Sequence, residues 1–288
     1  MKHAVLDTNR VGLILRVYAR REQDVSDRVS LVLITIDTAL KLGVFSRIDV
    51  LVWADPSYPS DCGDTAFELK EHIHHYKTKV PVNFHEVKHG DLFCGLLNYG
   101  VALQLRDRIG YSLIMSPDAS SYLTAENMDN MFITVMNGCR TTGLAINELQ
   151  DSVLEGRIAN TFALWHTVSL MSVGGFDLRA AHAKDRSDTR YLKGHKDGSE
   201  VFYPVHGVEE IIPLCRLVDT FGPCIGTVLP QEDQRYIVPN PIKDPEGYAR
   251  HIAKMGTKLQ RQTALAAAAG YELSFLQGGI KVGELTSR

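Results

Sequence analysis

The sequence predicts an α/β fold with a mostly parallel sheet and helices on both of its faces. Two observations carry this. Through roughly the first two hundred residues, short apolar runs alternate with stretches whose apolar residues fall at helical spacing, the order of consecutive βαβ units. Several of the short runs are continuously apolar, as in Val11-Gly12-Leu13-Ile14-Leu15, which is how strands covered on both faces read.

In order, Val11 to Val17 reads as the first strand and Ser30 to Leu42 as a helix stopping at Gly43. Ile48 to Trp53 is a second strand, Asp64 to Tyr76 a helix, Val80 to Val87 a third strand and Phe93 to Arg108 a helix. Tyr111 to Met115 is a fourth strand, followed by a helix over Ala125 to Asn137. Right-handed crossovers then put the loops after these strands on one rim: Arg16 to Arg21, Asp55 to Asp64, Lys88 to Phe93 and Ser116 to Ser121. After about residue 140 the pattern changes. Thr141 to Ile146 and Ala163 to Val173 read as strands with no helix between them, and Ala181 to Tyr203 as a polar surface loop. Val208 to Phe221 reads as a helix, and Gly247 to Gln277 as a long helical tail. Residues 1–230 are expected to form one domain and 231–288 a C-terminal helical extension. The small side chains of Ala264 to Ala269 suit close helix packing, on the domain or in a homodimer.

A length of 288 residues suffices for a full core, and 44% hydrophobic with 23% charged residues is ordinary for a globular protein. The net charge of −3 gives no general drive toward nucleic acid or anionic lipid. No apolar run approaches the roughly 20 residues that span a bilayer, and the amino terminus lacks the apolar core of a secretion signal. Five scattered cysteines without a CxxC pair argue against a disulfide framework or zinc site and suit a cytoplasmic protein. His72 and His75 share a helix face without an acidic or cysteine partner, so they read as solvated. The Arg186 to Lys193 patch suits an anionic ligand or an exposed loop.

Five strings carry candidate chemistry. Tyr111 to Met115 runs into Ser116-Pro117-Asp118, placing one acid at the carboxyl end of a strand, where open α/β sheets bind ligands. Leu51-Val52-Trp53-Ala54-Asp55-Pro56 places a second; an Asp before Pro is also a common turn former. Lys88-His89-Gly90-Asp91 precedes Asn98-Tyr99-Gly100, and a glycine inside a helix points to close approach of a ligand or of the sheet. Val173-Gly174-Gly175-Phe176-Asp177 is a turn after an apolar run. Gly207-Val208-Glu209-Glu210 opens a helix; adjacent acids there either favour the helix dipole or raise one another's pKa. Pro213 fits only if the helix starts near Ile212, leaving both acids in the loop.

By order and spacing, residues 10–225 resemble the nucleotide-sugar glycosyltransferases of the GT-A (Rossmann-like) fold, closest to the family-2 group. The resemblance implies a nucleotide diphospho-sugar donor and a glycan or other hydroxyl acceptor. Arg16 and Tyr18, with Arg20 or Arg21, would lie against the nucleotide, and Asp55 would accept a hydrogen bond from its base or ribose. Asn98 and Gly100 would flank the nucleotide, and Gly174, Gly175 and Asp177 would line the sugar. Glu210, beside Glu209, would be the general base. The family's two acids, one residue apart, hold a divalent metal on the diphosphate; Ser116 stands where the first is expected, so Asp118 would hold Mg²⁺ or Mn²⁺ with help from the diphosphate and from His206. The departure at Ser116 leaves two alternatives: metal-independent transfer, or a domain that binds nucleotide, glycan or a partner without turnover. A nucleotidyltransferase would share the layout, but Tyr18-Ala19-Arg20-Arg21-Glu22-Gln23 lacks the glycine-rich loop expected there.

Overall fold

The computed structural model of the chain describes residues 11–17, 25–54, 62–88, 94–146, 150–180, 191–196, 199–204, 207–231, 234 and 236–281. Strands β1 (Val11–Val17), β2 (Arg47–Trp53), β3 (Val82–Val87) and β4 (Tyr111–Met115) alternate with helices α1 (Val25–Leu42), α2 (Cys62–His74), α3 (Cys94–Arg106) and α4 (Ala125–Met136). Then come β5 (Thr141–Leu144), α5 (Gln150–Leu154), β6 (Phe162–His166), α6 (Thr167–Ser172), β7 (Tyr191–Lys196) and β8 (Ser199–Pro204). The chain continues through α7 (Ile211–Phe221), β9 (Ile225–Val228), α8 (Pro245–Gly256) and α9 (Lys258–Ala268). The main sheet has seven strands in the order β3-β2-β1-β4-β6-β5-β9. β6 runs antiparallel to both neighbours, while β1 to β4 run parallel and send their carboxyl ends to one rim.

The central strands are mostly apolar because helices cover both faces, with Arg47 and Asp49 of β2 buried as a pair. Every residue of β1 except Arg16 is buried, as is every residue of β2. Helix α1 buries Val25, Val29, Val32, Ile36 and Ala39, alternately four and three residues apart, which is one face of a helix. Each of the valines and the isoleucine contributes about 1.5–3 kcal/mol when fully buried, and the alanine less. Helix α4 starts where Thr124 Oγ1 accepts the Asn127 N–H at 3.3 Å.

The second half corrects several sequence expectations. A short helix, α5, separates β5 from β6, and the apolar run beginning at Ala163 is strand only to His166 before turning into α6. The Gly-Gly-Phe-Asp turn therefore follows a helix. The segment expected to be a polar loop contains the β7–β8 hairpin. The long tail is two helices broken at Thr257, followed by a 3₁₀ turn over Leu273–Gly279. Helix α9 packs on α7 and along the hairpin. The tail then returns to the sheet edge, with Cys224 N–H donating to Gly279 O and Lys281 N–H to Ile225 O. His72 and His75 are exposed. No described helix is long and apolar enough to cross a membrane.

Candidate functional site

At the carboxyl end of β4, Ser116 opens a 3₁₀ turn over Pro117–Tyr122. Its N–H donates to Thr161 O at 3.0 Å, and its Oγ donates to Asp118 Oδ2 at 2.8 Å. Asp118 Oδ1 accepts from Arg28 Nη1 of α1 at 2.7 Å. The two side chains of this pair keep 25% and 20% of their surface, so the pair lies at an open rim. Ile237 N–H donates to Asp118 O at 3.0 Å, so the segment after β9 crosses this rim.

The resemblance implies a divalent cation at Asp118. Hard cations take several oxygen ligands, usually carboxylates. Among the described residues Asp118 is the one carboxylate at this turn, and both of its oxygens are engaged by a guanidinium and a hydroxyl. Among the described residues no three His, Cys, Asp or Glu side chains gather as a cation cage. These residues do not fit the family's metal site.

Near this turn lies a cavity of about 80 Å³ whose wall includes Thr161, which accepts the Ser116 N–H, and Tyr236, which precedes the Ile237 that donates to Asp118 O. It has room for roughly five to eight waters. Glu209 and Glu210, each 2% exposed, line it with Arg16, Lys254 and Lys258. Glu210 is the residue before α7, but its side chain makes no capping bond, and Pro213 occupies the third helical position. Both acids thus stay outside the helix. Arg16 Nη1 lies 3.2 Å from Glu209 Oε1, and Lys258 Nζ lies 3.8 Å from Glu210 Oε1. Arg261 stands behind, donating to Lys254 O at 2.6 Å.

The electrostatics follow from burial. Loss of water pushes the Glu210 carboxyl up to about 7, against the attraction of Lys258 and with the repulsion of Glu209. Lys254 is exposed along its length, but its ammonium end is drawn in over Gly207. Burial of that end, and then the Arg16 guanidinium, lowers it to about 8. Burial also lowers Lys258 and Arg261, with both glutamates opposing.

The other expected site residues have structural partners. Asn98 accepts from Phe176 N–H and donates to Phe176 O, both at 2.8 Å, clamping the Gly-Gly-Phe-Asp turn. Gly175 sits at φ +66°, and a Cβ there would stand 2.5 Å from Asn98 Oδ1, so only glycine fits. A Cβ at Gly174 would approach Arg216 Nη1 at 3.1 Å. A Cβ at Gly100 would meet Leu51 Cδ1 at 2.6 Å, so helix–sheet packing accounts for that glycine. Asp177 Oδ2 pairs with Arg179 at 2.9 Å and Arg216 at 3.3 Å. Burial alone would raise the Asp177 carboxyl, but the Arg179 hydrogen bonds and the Arg216 charge hold it below the usual range. Tyr18, Arg20, Arg21, Asp55, His89, Gly90, Asp91, Arg186 and His206 lie outside the described residues.

The structure therefore joins Arg16, Glu209 and Glu210 in one cavity, ties Ser116 to its wall at Thr161, and leaves Asp118 outside its lining, bonded to Ile237. It adds a tail contribution that sequence reasoning missed: Tyr236, His251, Lys254 and Lys258. The available signal was the spacing of Lys254, Lys258 and Arg261, at i, i+4 and i+7, which would share one face of the continuous helix that the sequence suggests.

No protein-family model matches the chain, and no curated protein matches it. Among solved structures, the mannosyltransferase PcManGT from Pyrobaculum calidifontis, in complex with GDP-Man and Mn²⁺, is similar at 12% identity, over 94% of this chain and 67% of that one, with a TM-score of 0.61. A 4-diphosphocytidyl-2C-methyl-D-erythritol synthase from Anaerococcus prevotii aligns at 11% identity, over 85% of this chain and 100% of that one, with a TM-score of 0.43. At such identity the first likeness speaks for the fold: a seven-stranded, mostly parallel α/β sheet of the GT-A kind.

Proposed function

We propose that the chain is a glycosyltransferase that moves a sugar from a nucleotide diphospho-sugar to an acceptor hydroxyl with inversion. The observation that carries this is Glu210, a carboxyl raised to about 7 in a cavity at the carboxyl rim of a GT-A sheet, beside Arg16 at the end of β1. A general base works best with a pKa near the working pH. In the proposed step Glu210 takes the acceptor O–H proton as that oxygen attacks C1 of the sugar. The bond from C1 to the diphosphate oxygen breaks, and its electron pair leaves with the diphosphate. Asp55 and Tyr18 would bind the nucleoside, and Arg28, held by Asp118, would face the phosphates. The GDP-Man complex of PcManGT supports the donor class.

The 2% exposure of Glu209 and Glu210 favours one second reading, a domain that binds nucleotide without turnover. The test is thermal stability with UDP, GDP, CDP and dTDP, followed by assay of the matching nucleotide-sugar. A ligand at 100 times its Kd stabilises by about 2.7 kcal/mol. A shift with one nucleotide and consumption of its sugar conjugate supports transfer. A shift without consumption supports the binding domain, and no shift with any nucleotide sinks both.

A further inference from the structure

The cavity beside Glu210 holds more positive than negative charge. Arg16, Lys254 and Lys258 line it against two carboxylates, Glu209 and Glu210, with Arg261 behind. Glu209 is engaged by Arg16 at 3.2 Å, and Glu210 lies 3.8 Å from Lys258. Lys254 has no ion-pair partner among the described residues. Gly207, at φ +74°, makes room for it: a Cβ there would stand 2.8 Å from Lys254 Cε and 3.0 Å from Nζ. Crowded cations out of water are costly unless an anion joins them. Burial pushes the Glu210 carboxyl up to about 7, which lessens the negative charge such an anion would meet. Asp118, meanwhile, holds Arg28 where the family would hold a metal.

We propose that Arg16, Lys254 and Lys258 form a phosphate-class anion site in this cavity that works without a divalent cation. The charge a metal would supply comes from the protein, two of the three cations arriving from α8 and α9. If the chain is a nucleotide-sugar transferase, the anion is either the donor's diphosphate or a phosphate on the acceptor. Only this choice of source rests on the proposed function.

The test is calorimetric titration of the full chain with inorganic pyrophosphate in EDTA. Binding is expected in EDTA, at least tenfold weaker in Lys254→Gln and largely restored in Lys254→Arg. Lys254 sits on an exposed helix, so both variants are expected to fold, which circular dichroism checks. Binding that requires added Mn²⁺, or equal binding by Lys254→Gln, overturns the site. Displacement of pyrophosphate by a nucleoside diphosphate assigns it to the donor; simultaneous binding assigns it to the acceptor. Pyrophosphate binding with no nucleotide binding leaves the site standing and removes the transferase reading. Sugar transfer with Mn²⁺ and no pyrophosphate binding in EDTA does the reverse.

Discussion

Arg28 Nη1 lies 2.7 Å from Asp118 Oδ1, so the acid at the end of β4 already holds a cation supplied by α1. Ser116 Oγ, at 2.8 Å from Oδ2, completes the arrangement. In the proposed function this pair presents a guanidinium, not a metal, to the phosphates. Asp118→Ala should release Arg28 and weaken nucleoside diphosphate binding about tenfold, or ~1.4 kcal/mol. Arg28→Ala should free the carboxylate, so that added Mn²⁺ raises affinity in the variant but not in wild type. Calorimetry with and without EDTA checks both.

Turnover should rise with pH through about 7, because the base must lose its proton and burial has raised Glu210 to that value. It should fall above about 8, where Lys254 loses its charge. Arg16, Glu209, Lys258 and His251 line the same cavity, Arg261 lies behind it, and these charges set the limits together. Lys254→Gln should remove the alkaline limb and keep the acid one. A pH–rate profile of the two proteins decides this.

Asn98→Ala should destabilise by about 1–3 kcal/mol, because it leaves Phe176 N–H and C=O of a buried turn without their partner. Nucleotide affinity should stay within twofold, since the side chain is spent on that turn. A loss of affinity without a loss of stability would instead make Asn98 a ligand.

Asp49 is fully buried inside β2, with Arg47 bidentate at 2.7 Å, His85 at 2.9 Å and Gln104 at 3.1 Å. Burial alone would raise its carboxyl, but His85, Arg47 and Gln104 outweigh it and hold the pKa low. A depressed carboxyl adds stability that is present above the unfolded value near ~3.9 and lost as pH falls through the folded one. Acid unfolding should therefore set in below about pH 4. Asp49→Asn should cost about 3–5 kcal/mol at neutral pH, because Arg47 is left buried and half-paired. Urea denaturation at pH 7 and pH 4 measures both.

The first half of the fold was legible because β1 and β2 are covered on both faces and read as apolar runs, and because α1 stops at Gly43. The β6–α6 junction was not, since no Gly or Pro interrupts the apolar run there. Instead His166 Nδ1 accepts the Ser169 N–H at 3.2 Å, a histidine in a capping role that Ser, Thr, Asp or Asn usually fills. The β7–β8 hairpin was hidden by its polar composition, although Asp197-Gly198 between Lys196 and Ser199 is a two-residue turn signal. At the site, Arg16, Glu209 and Glu210 were legible from strand ends and helix starts. Lys254 and Lys258 were not, because joining residues this distant in sequence depends on how the tail folds back.

The central claim is that Glu210 is the base of a sugar transfer. The most direct measurement compares wild type and Glu210→Gln for nucleoside diphosphate release from the nucleotide-sugar whose nucleotide binds, with nucleotide affinity measured alongside. The account predicts unchanged affinity and a kcat lower by about 10²–10⁴-fold in the variant. Wild-type turnover by Glu210→Gln, at equal affinity, would contradict it.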